Sequence, residues 1–217
     1  MSSVLEIISR FAVVPAIVLD DPSRAAPLAD ALVNGGLPVA EVTLRTPDAL
    51  EVISIMAQDS VLLVGAGTVL NKAQAQQAID AGARFIVSPG ISVELVQFCQ
   101  EKKVPIIPGA VTASEIMLAA NLGLDCVKFF PCEASGGLPM LKALHGPFPK
   151  MRFMPTGGIN VETLPRYLKF SPVLAAGGTW MVRSEWLRDG NFDLVEEACQ
   201  QTMSVVAMNK LQGSAAD

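Results

Sequence analysis

The stretch Leu124-Asp125-Cys126-Val127-Lys128-Phe129-Phe130-Pro131 reads as a buried strand, a short apolar run entered after Gly123 and closed by Pro131. Alternation along it puts Cys126, Lys128 and Phe130 on one face and Val127 and Phe129 on the other. The same unit recurs along the chain. Strands are expected to begin near Val13, Val39, Leu62, Phe85, Pro105, Cys126, Met151 and Pro172, each followed by a helical pattern, at spacings of about 20–26 residues. Continuous apolar character in such strands marks a parallel sheet covered by helices. Eight units in a chain of 217 residues fit a compact α/β fold, a (β/α)8 TIM barrel. The competing doubly wound sheet carries a glycine fingerprint after its first strand, where this chain has Asp20-Asp21-Pro22-Ser23.

Ahead of the first strand, Val4, Ile7, Ile8 and Phe11 follow helical spacing, so an additional N-terminal amphipathic helix is expected rather than a leader peptide. No linker or low-complexity stretch interrupts the units, and residues 1–217 read as one domain. The last residues, Lys210 to Asp217, are polar and are expected to fray.

Composition narrows the function. Net charge is −5 with no cluster of Lys or Arg, which argues against nucleic acid and anionic membrane as partners. No apolar stretch reaches the roughly 18 residues of a membrane span. The four cysteines (Cys99, Cys126, Cys132 and Cys199) show no metal-ligand spacing and read as reduced buried thiols of a cytoplasmic protein. His145 is the one histidine, read as a loop residue, and metal chemistry normally draws on several imidazoles. No metal and no organic cofactor are expected.

In a barrel of this kind the C-terminal strand ends form the active face. Lys128 sits in the middle of its strand, on the face shared with Cys126 and Phe130. A lysine desolvated in apolar surroundings favours its neutral amine, a nucleophile that condenses with carbonyls to a Schiff base; the alternative is a side chain that snorkels to water. In strand two, Glu41, Thr43 and Arg45 share one face and Val42 and Leu44 the other. The apolar face should meet the helices, which leaves a carboxylate and a guanidinium directed into the barrel, as site groups or as a structural Glu–Arg pair. Strand three ends Val64-Gly65-Ala66-Gly67-Thr68, with glycines for close approach and a hydroxyl for a ligand, although an ordinary turn reads the same way. Strands seven and eight end Thr156-Gly157-Gly158 and Gly177-Gly178-Thr179. Paired glycines there suit a phosphate held by backbone N–H groups, with plain turns as the alternative, and Gly136-Gly137 could close over the same ligand.

An inward lysine, a carboxylate, an arginine, hydroxyls and a phosphate cradle together describe a lyase acting on a phosphorylated keto acid. The imine is an electron sink, the carboxylate moves protons, and the arginine suits a substrate carboxylate. The rivals are a sugar-phosphate isomerase or epimerase, with Glu41 as base and Lys128 as electrostatic stabiliser, and a non-catalytic barrel that binds sugar phosphates.

The segments Glu41-Val42-Thr43-Leu44-Arg45-Thr46, Gly65-Ala66-Gly67-Thr68-Val69, Val87-Ser88-Pro89-Gly90, Lys128-Phe129-Phe130-Pro131, Pro155-Thr156-Gly157-Gly158-Ile159 and Gly177-Gly178-Thr179-Trp180 resemble, in order and over nearly the whole chain, the bacterial 2-keto-3-deoxy-6-phosphogluconate (KDPG) aldolases. The resemblance implies a metal-independent class I aldolase of the Entner–Doudoroff pathway, a homotrimer of (β/α)8 barrels. Such an enzyme cleaves KDPG to pyruvate and D-glyceraldehyde 3-phosphate and also acts on 4-hydroxy-2-oxoglutarate. By position it implies Lys128 as the Schiff-base lysine and Glu41 as general acid and base. Arg45 and Thr68 would bind the pyruvate carboxylate, Pro89 and Phe130 shape the pocket, and Thr156 contact the substrate chain. Gly157, Gly158, Gly177, Gly178 and Thr179 would hold the phosphate. Thr179 stands where the family often has serine, and Cys132 where alanine is common, which reads as a packing change. A sister family acting on the galactonate epimer tends to lack the Thr156 equivalent and differs in the strand-two motif, so both favour the gluconate substrate.

Overall fold

The structure, a computed structural model, describes residues 4–214. Its strands are β1 (Val13–Ile17), β2 (Val39–Thr43), β3 (Leu63–Gly67), β4 (Ile86–Val87), β5 (Ile106–Ile107), β6 (Cys126–Phe129), β7 (Arg152–Pro155) and β8 (Ala176–Gly178). Six of them form one parallel sheet in the order β5-β4-β3-β2-β1-β8, and β6 and β7 form a second pair. Single bridges close the ring. Gly109 pairs with Lys128 between β5 and β6, and Thr156 pairs with Gly177 between β7 and β8. The expected barrel is therefore present.

Helices follow the strands on the outside: α2 (Ala25–Asn34), α3 (Ala49–Met56), α4 (Lys72–Asp80), α5 (Val93–Glu101), α6 (Ala113–Asn121), α7 (Gly137–His145), α8 (Leu164–Leu168), α9 (Ser184–Asp189) and α10 (Phe192–Ser214). Their starts are chemically marked. Asn71, Ser92 and Thr112 each accept a backbone N–H through the side chain, and Thr112 and Glu115 complete a reciprocal capping box. Gly35 caps α2, and the next residue, Gly36, sits at φ +77°.

Alternation divides the apolar residues between two cores. One lies between sheet and helices and takes in Val42, Val64, Val127 and Phe129. The other fills the barrel interior with Val14, Val39, Leu63, Phe85, Ile107, Cys126 and Met154. The N-terminal helix α1 (Val4–Phe11) belongs to the second: Ile8 is fully buried in it, with Val4, Leu5, Ile7 and Phe11 packed against it. Thus α1 stoppers the end where the strands begin and leaves the opposite end open. Inside, β3 presents Gly65 where a side chain would otherwise point inward, and the Phe85 ring occupies that space.

Three expectations are corrected. The tail up to Ser214 does not fray but continues α10; Lys210 Nζ donates to the Arg10 carbonyl at 2.6 Å, a cation on the C-terminal turn of α1. The expected fraying of residues 215–217 lies outside the described residues. His145 is not in a loop but ends α7, edge-on to Phe170 and Phe153 at centroid distances of 5.4 and 6.1 Å. Strand eight begins at Ala176, later than Pro172, because Phe170 to Leu174 serve to turn the chain back along β7.

Gly65→Ala places a methyl on the Phe85 ring and should destabilise the protein by about 1–3 kcal/mol, the usual cost of overpacking a filled core. Urea unfolding measures this; an unchanged midpoint would show that the barrel interior has slack there.

Candidate active site

The open end of the barrel holds a cavity of about 450 Å³. Its wall comes from successive strand ends: Glu41, Thr43 and Arg45 on β2 and beyond it, Thr68 after β3, Pro89 after β4, Lys128 and Phe130 on β6, Thr156 to Ile159 after β7, and Gly178 and Thr179 at β8. A second cavity of about 450 Å³ lies at the closed end, around Leu124, Phe148, Lys150 and Met151. Only the first gathers a buried acid and a buried amine.

Glu41 is fully buried and Lys128 is 7% exposed. Lys128 Nζ donates to Glu41 Oε1 at 3.0 Å, across 87 residues of sequence. Neither charge sits there cheaply: burial of an unpaired ion costs several kcal/mol, so each holds the other in place. The barrel makes room for the pair, because a Cβ on Gly67 would fall on the Glu41 carboxylate. Close approach of a side chain, rather than a turn, is the reason for that glycine. Glu41 Oε2 is buried and finds no hydrogen-bond donor among the described residues. The residue that carries it is part of the cavity lining. The Phe130 ring lies 5.4 Å from Lys128 Nζ, an apolar flank with an electron-rich face toward the amine.

The sequence placed Lys128 in apolar surroundings; the structure gives it a carboxylate neighbour. Arg45 differs more. It was expected inside the barrel, but it lies past the end of β2, exposed at the cavity rim. The buried partner of Glu41 is Lys128, and among the described residues no Glu–Arg pair forms inside the barrel. Thr68 lines the cavity at φ +56°, a left-handed backbone that a β-branched residue rarely adopts.

Away from the amine the wall becomes main chain. Gly157 and Gly158 have φ of +101° and +82°, conformations suited to glycine, and with Gly178 and Thr179 they line the cavity. Gly177 does not reach it. Its backbone bridges to Thr156 within the barrel wall, and the space of its missing side chain holds the Thr156 hydroxyl. Gly136 and Gly137 do not line the cavity either; Gly136 caps α7 at φ +99° and Gly137 begins that helix. Thr43 was on the right face but was not singled out. It lines the cavity while donating to the Ile17 carbonyl at 2.8 Å, which leaves the lone pairs of its hydroxyl for another donor.

All four cysteines are free and buried, and burial pushes their thiols up, to about 11 for Cys99 and Cys132 and about 12 for Cys126 and Cys199. They are protonated at neutral pH and unsuited to nucleophilic work. Among the described residues no group of three or more His, Cys, Asp or Glu is placed to hold a metal.

Lys128→Met and Glu41→Gln, singly and together, should show a coupling of about 0.5–3 kcal/mol in denaturant unfolding, as contacting residues do. Strict additivity would mean that the pair is not formed in solution.

The sequence and the barrel are matched by known proteins. Residues 4–198 match the model of the KDPG and KHG aldolases. A 2-dehydro-3-deoxy-phosphogluconate aldolase from Treponema pallidum is 44% identical over 209 residues, covering 96% of this chain and 100% of its own. Among solved structures, a KDPG aldolase from Legionella pneumophila with pyruvate captured as a covalent carbinolamine superposes at a TM-score of 0.88 with 40% identity, covering 93% of this chain and 98% of its own. The Zymomonas mobilis enzyme with 3-phosphoglycerate superposes at 0.87 with 41% identity, covering 93% and 96%. Sequence and fold agree, and the chain belongs to the KDPG and KHG aldolase family.

Proposed function

We propose that the protein is a class I aldolase that cleaves KDPG to pyruvate and D-glyceraldehyde 3-phosphate and also acts on 4-hydroxy-2-oxoglutarate. The observation that carries this reading is the buried contact of Lys128 Nζ with Glu41 Oε1 at 3.0 Å, on the wall of a cavity whose other wall is glycine main chain.

In this mechanism Glu41 takes a proton from the Lys128 ammonium, and the freed amine adds to the C2 carbonyl carbon of the substrate. Glu41 returns the proton to the carbinolamine hydroxyl, which leaves as water, and a protonated imine forms. The carboxylate then accepts the proton of the C4 hydroxyl, the role for which Oε2 is unpartnered. The C3–C4 bond breaks, its electron pair moves into the imine, and the aldehyde departs. The remaining enamine is protonated at C3, and water hydrolyses the resulting imine to pyruvate and the free amine.

Arg45 and Thr68 hold the substrate carboxylate, Arg45 from the rim and so able to meet it on entry. Pro89 and Phe130 enclose the pyruvyl part and Thr156 meets the hydroxylated chain. Gly157, Gly158, Gly178 and Thr179 receive the phosphate through backbone N–H groups and one hydroxyl. Gly177 contributes by leaving space for Thr156. Family membership removes the support for an isomerase or a non-catalytic barrel.

A homotrimer is supported by the family resemblance and by Val61, Leu70, Val93 and Met117, large apolar side chains left exposed in the single chain. A cytoplasmic location is supported by four unpaired thiols. Among the described residues no helix is long and apolar enough to cross a membrane.

Release of pyruvate from KDPG, followed beside its C4 epimer with a chelator present, tests the function: KDPG should be cleaved faster, and equal or reversed rates would contradict the gluconate assignment. Glu41→Gln should depress turnover by about 10²–10⁴-fold, the range of a lost proton shuttle. A loss within about threefold would remove Glu41 from the mechanism. Sedimentation should give three times the chain mass; a monomer at micromolar concentration would contradict the trimer.

A further inference from the structure

Behind the glycine loop lies a cluster the mechanism does not use. The loop that leaves β6 is tied to the loop that leaves β7 by two backbone hydrogen bonds, Cys132 N–H to the Thr156 carbonyl at 2.8 Å and Glu133 N–H to the Gly157 carbonyl at 3.1 Å. Glu133 also packs beneath Gly158. A Cβ there would lie 2.7 Å from Glu133 Cβ and Cγ, so the two residues are in direct register. The Glu133 carboxylate then turns to α8, where Oε1 accepts from Arg166 Nη2 at 2.6 Å and from the Tyr167 hydroxyl. The phenol is itself fixed: Tyr167 is fully buried, and the Cys132 thiol donates to its oxygen at 3.3 Å.

A surface ion pair alone contributes little to stability. Here a fully buried tyrosine is committed to an exposed carboxylate, whose stem packs under Gly158 while the backbone N–H of the same residue holds the Gly157 carbonyl. The Tyr167 hydroxyl foremost, with burial opposing and the Arg166 guanidinium assisting, holds the Glu133 carboxyl below the usual carboxylate range, so it is ionised at neutral pH. Pairing with Arg166 also keeps this negative charge off the loop that is to meet an anion.

We propose that Glu133, clamped by Tyr167 and Arg166, is a positioning residue that sets the Gly157–Gly158 main chain for the substrate phosphate, and so determines preference for phosphorylated over non-phosphorylated hydroxy-keto acids. This rests on the aldolase reading and on its placement of the phosphate. The carbonyl end of the substrate meets Lys128, Glu41 and Arg45, none of which touches the clamp.

Tyr167→Phe removes the hydroxyl and keeps the buried ring; Glu133→Gln, at an exposed position, removes the charge and is a second variant should the first fold poorly. For each, KM and kcat are measured with KDPG and with 4-hydroxy-2-oxoglutarate. The clamp predicts that KM for KDPG rises about tenfold in Tyr167→Phe, the scale of one lost charge-assisted hydrogen bond, while kcat/KM for 4-hydroxy-2-oxoglutarate stays within about twofold. Parallel losses on both substrates would make the cluster a structural brace, and unchanged constants on both would leave it idle; either overturns the proposal. A wild-type enzyme that cleaves both substrates with equal KM would instead overturn the phosphate placement, and the clamp with it.

Discussion

The contact between Lys128 and Glu41 is the constraint to which the rest of the barrel conforms. Two charges taken from water each lose solvation worth several kcal/mol, and their attraction repays this only when the geometry is held. The parallel register does the holding. Glu41 lies opposite Ala16 on β1 and Gly65 on β3, and Lys128 lies opposite Met154 on β7 and is bridged to Gly109 beyond β5. Small residues beside the acid, and Gly67 above all, give the carboxylate room. Large residues at the other end of the same interior, sealed by α1, make that end a core instead of a cavity. The division of labour along the barrel axis follows from where side-chain volume is spent.

The open end stores conformational cost as well as charge. Thr68 holds a left-handed backbone that costs of order 1–3 kcal/mol and persists only where surrounding structure imposes it. Glu41 Oε2 is a buried acceptor with no donor among the described residues. In a purely structural barrel both would be defects. In the aldolase proposed above, both would serve as preorganised groups at the wall of the substrate cavity.

Much of this was legible in the chain. Period-two alternation placed Lys128 and Glu41 inward correctly, and the recurrence of strand and helix gave the barrel. Pairing was not legible, since no local pattern joins residues 87 apart, and Arg45 was the nearer candidate for the acid. Arg45 shares the parity of Glu41, but parity loses its meaning once the strand has ended at Thr43. The glycine pairs suggested an anion site, yet the sequence cannot tell what a glycine makes room for: Gly177 leaves space for Thr156 inside the wall, and Gly178, which lines the cavity, leaves space for the Trp180 ring. Cys132 looked like a packing change because its role depends on Tyr167, 35 residues away. Lys210 looked like part of a loose tail because its acceptor lies at Arg10.

The central claim is that one buried amine bonds covalently to the keto carbon. Incubation with pyruvate and borohydride, followed by peptide mapping, tests it most directly. The account predicts irreversible loss of activity and the mass of one reduced pyruvate adduct on the peptide that carries Lys128. An unmodified, fully active protein at saturating pyruvate, or an adduct on any other lysine, would contradict it.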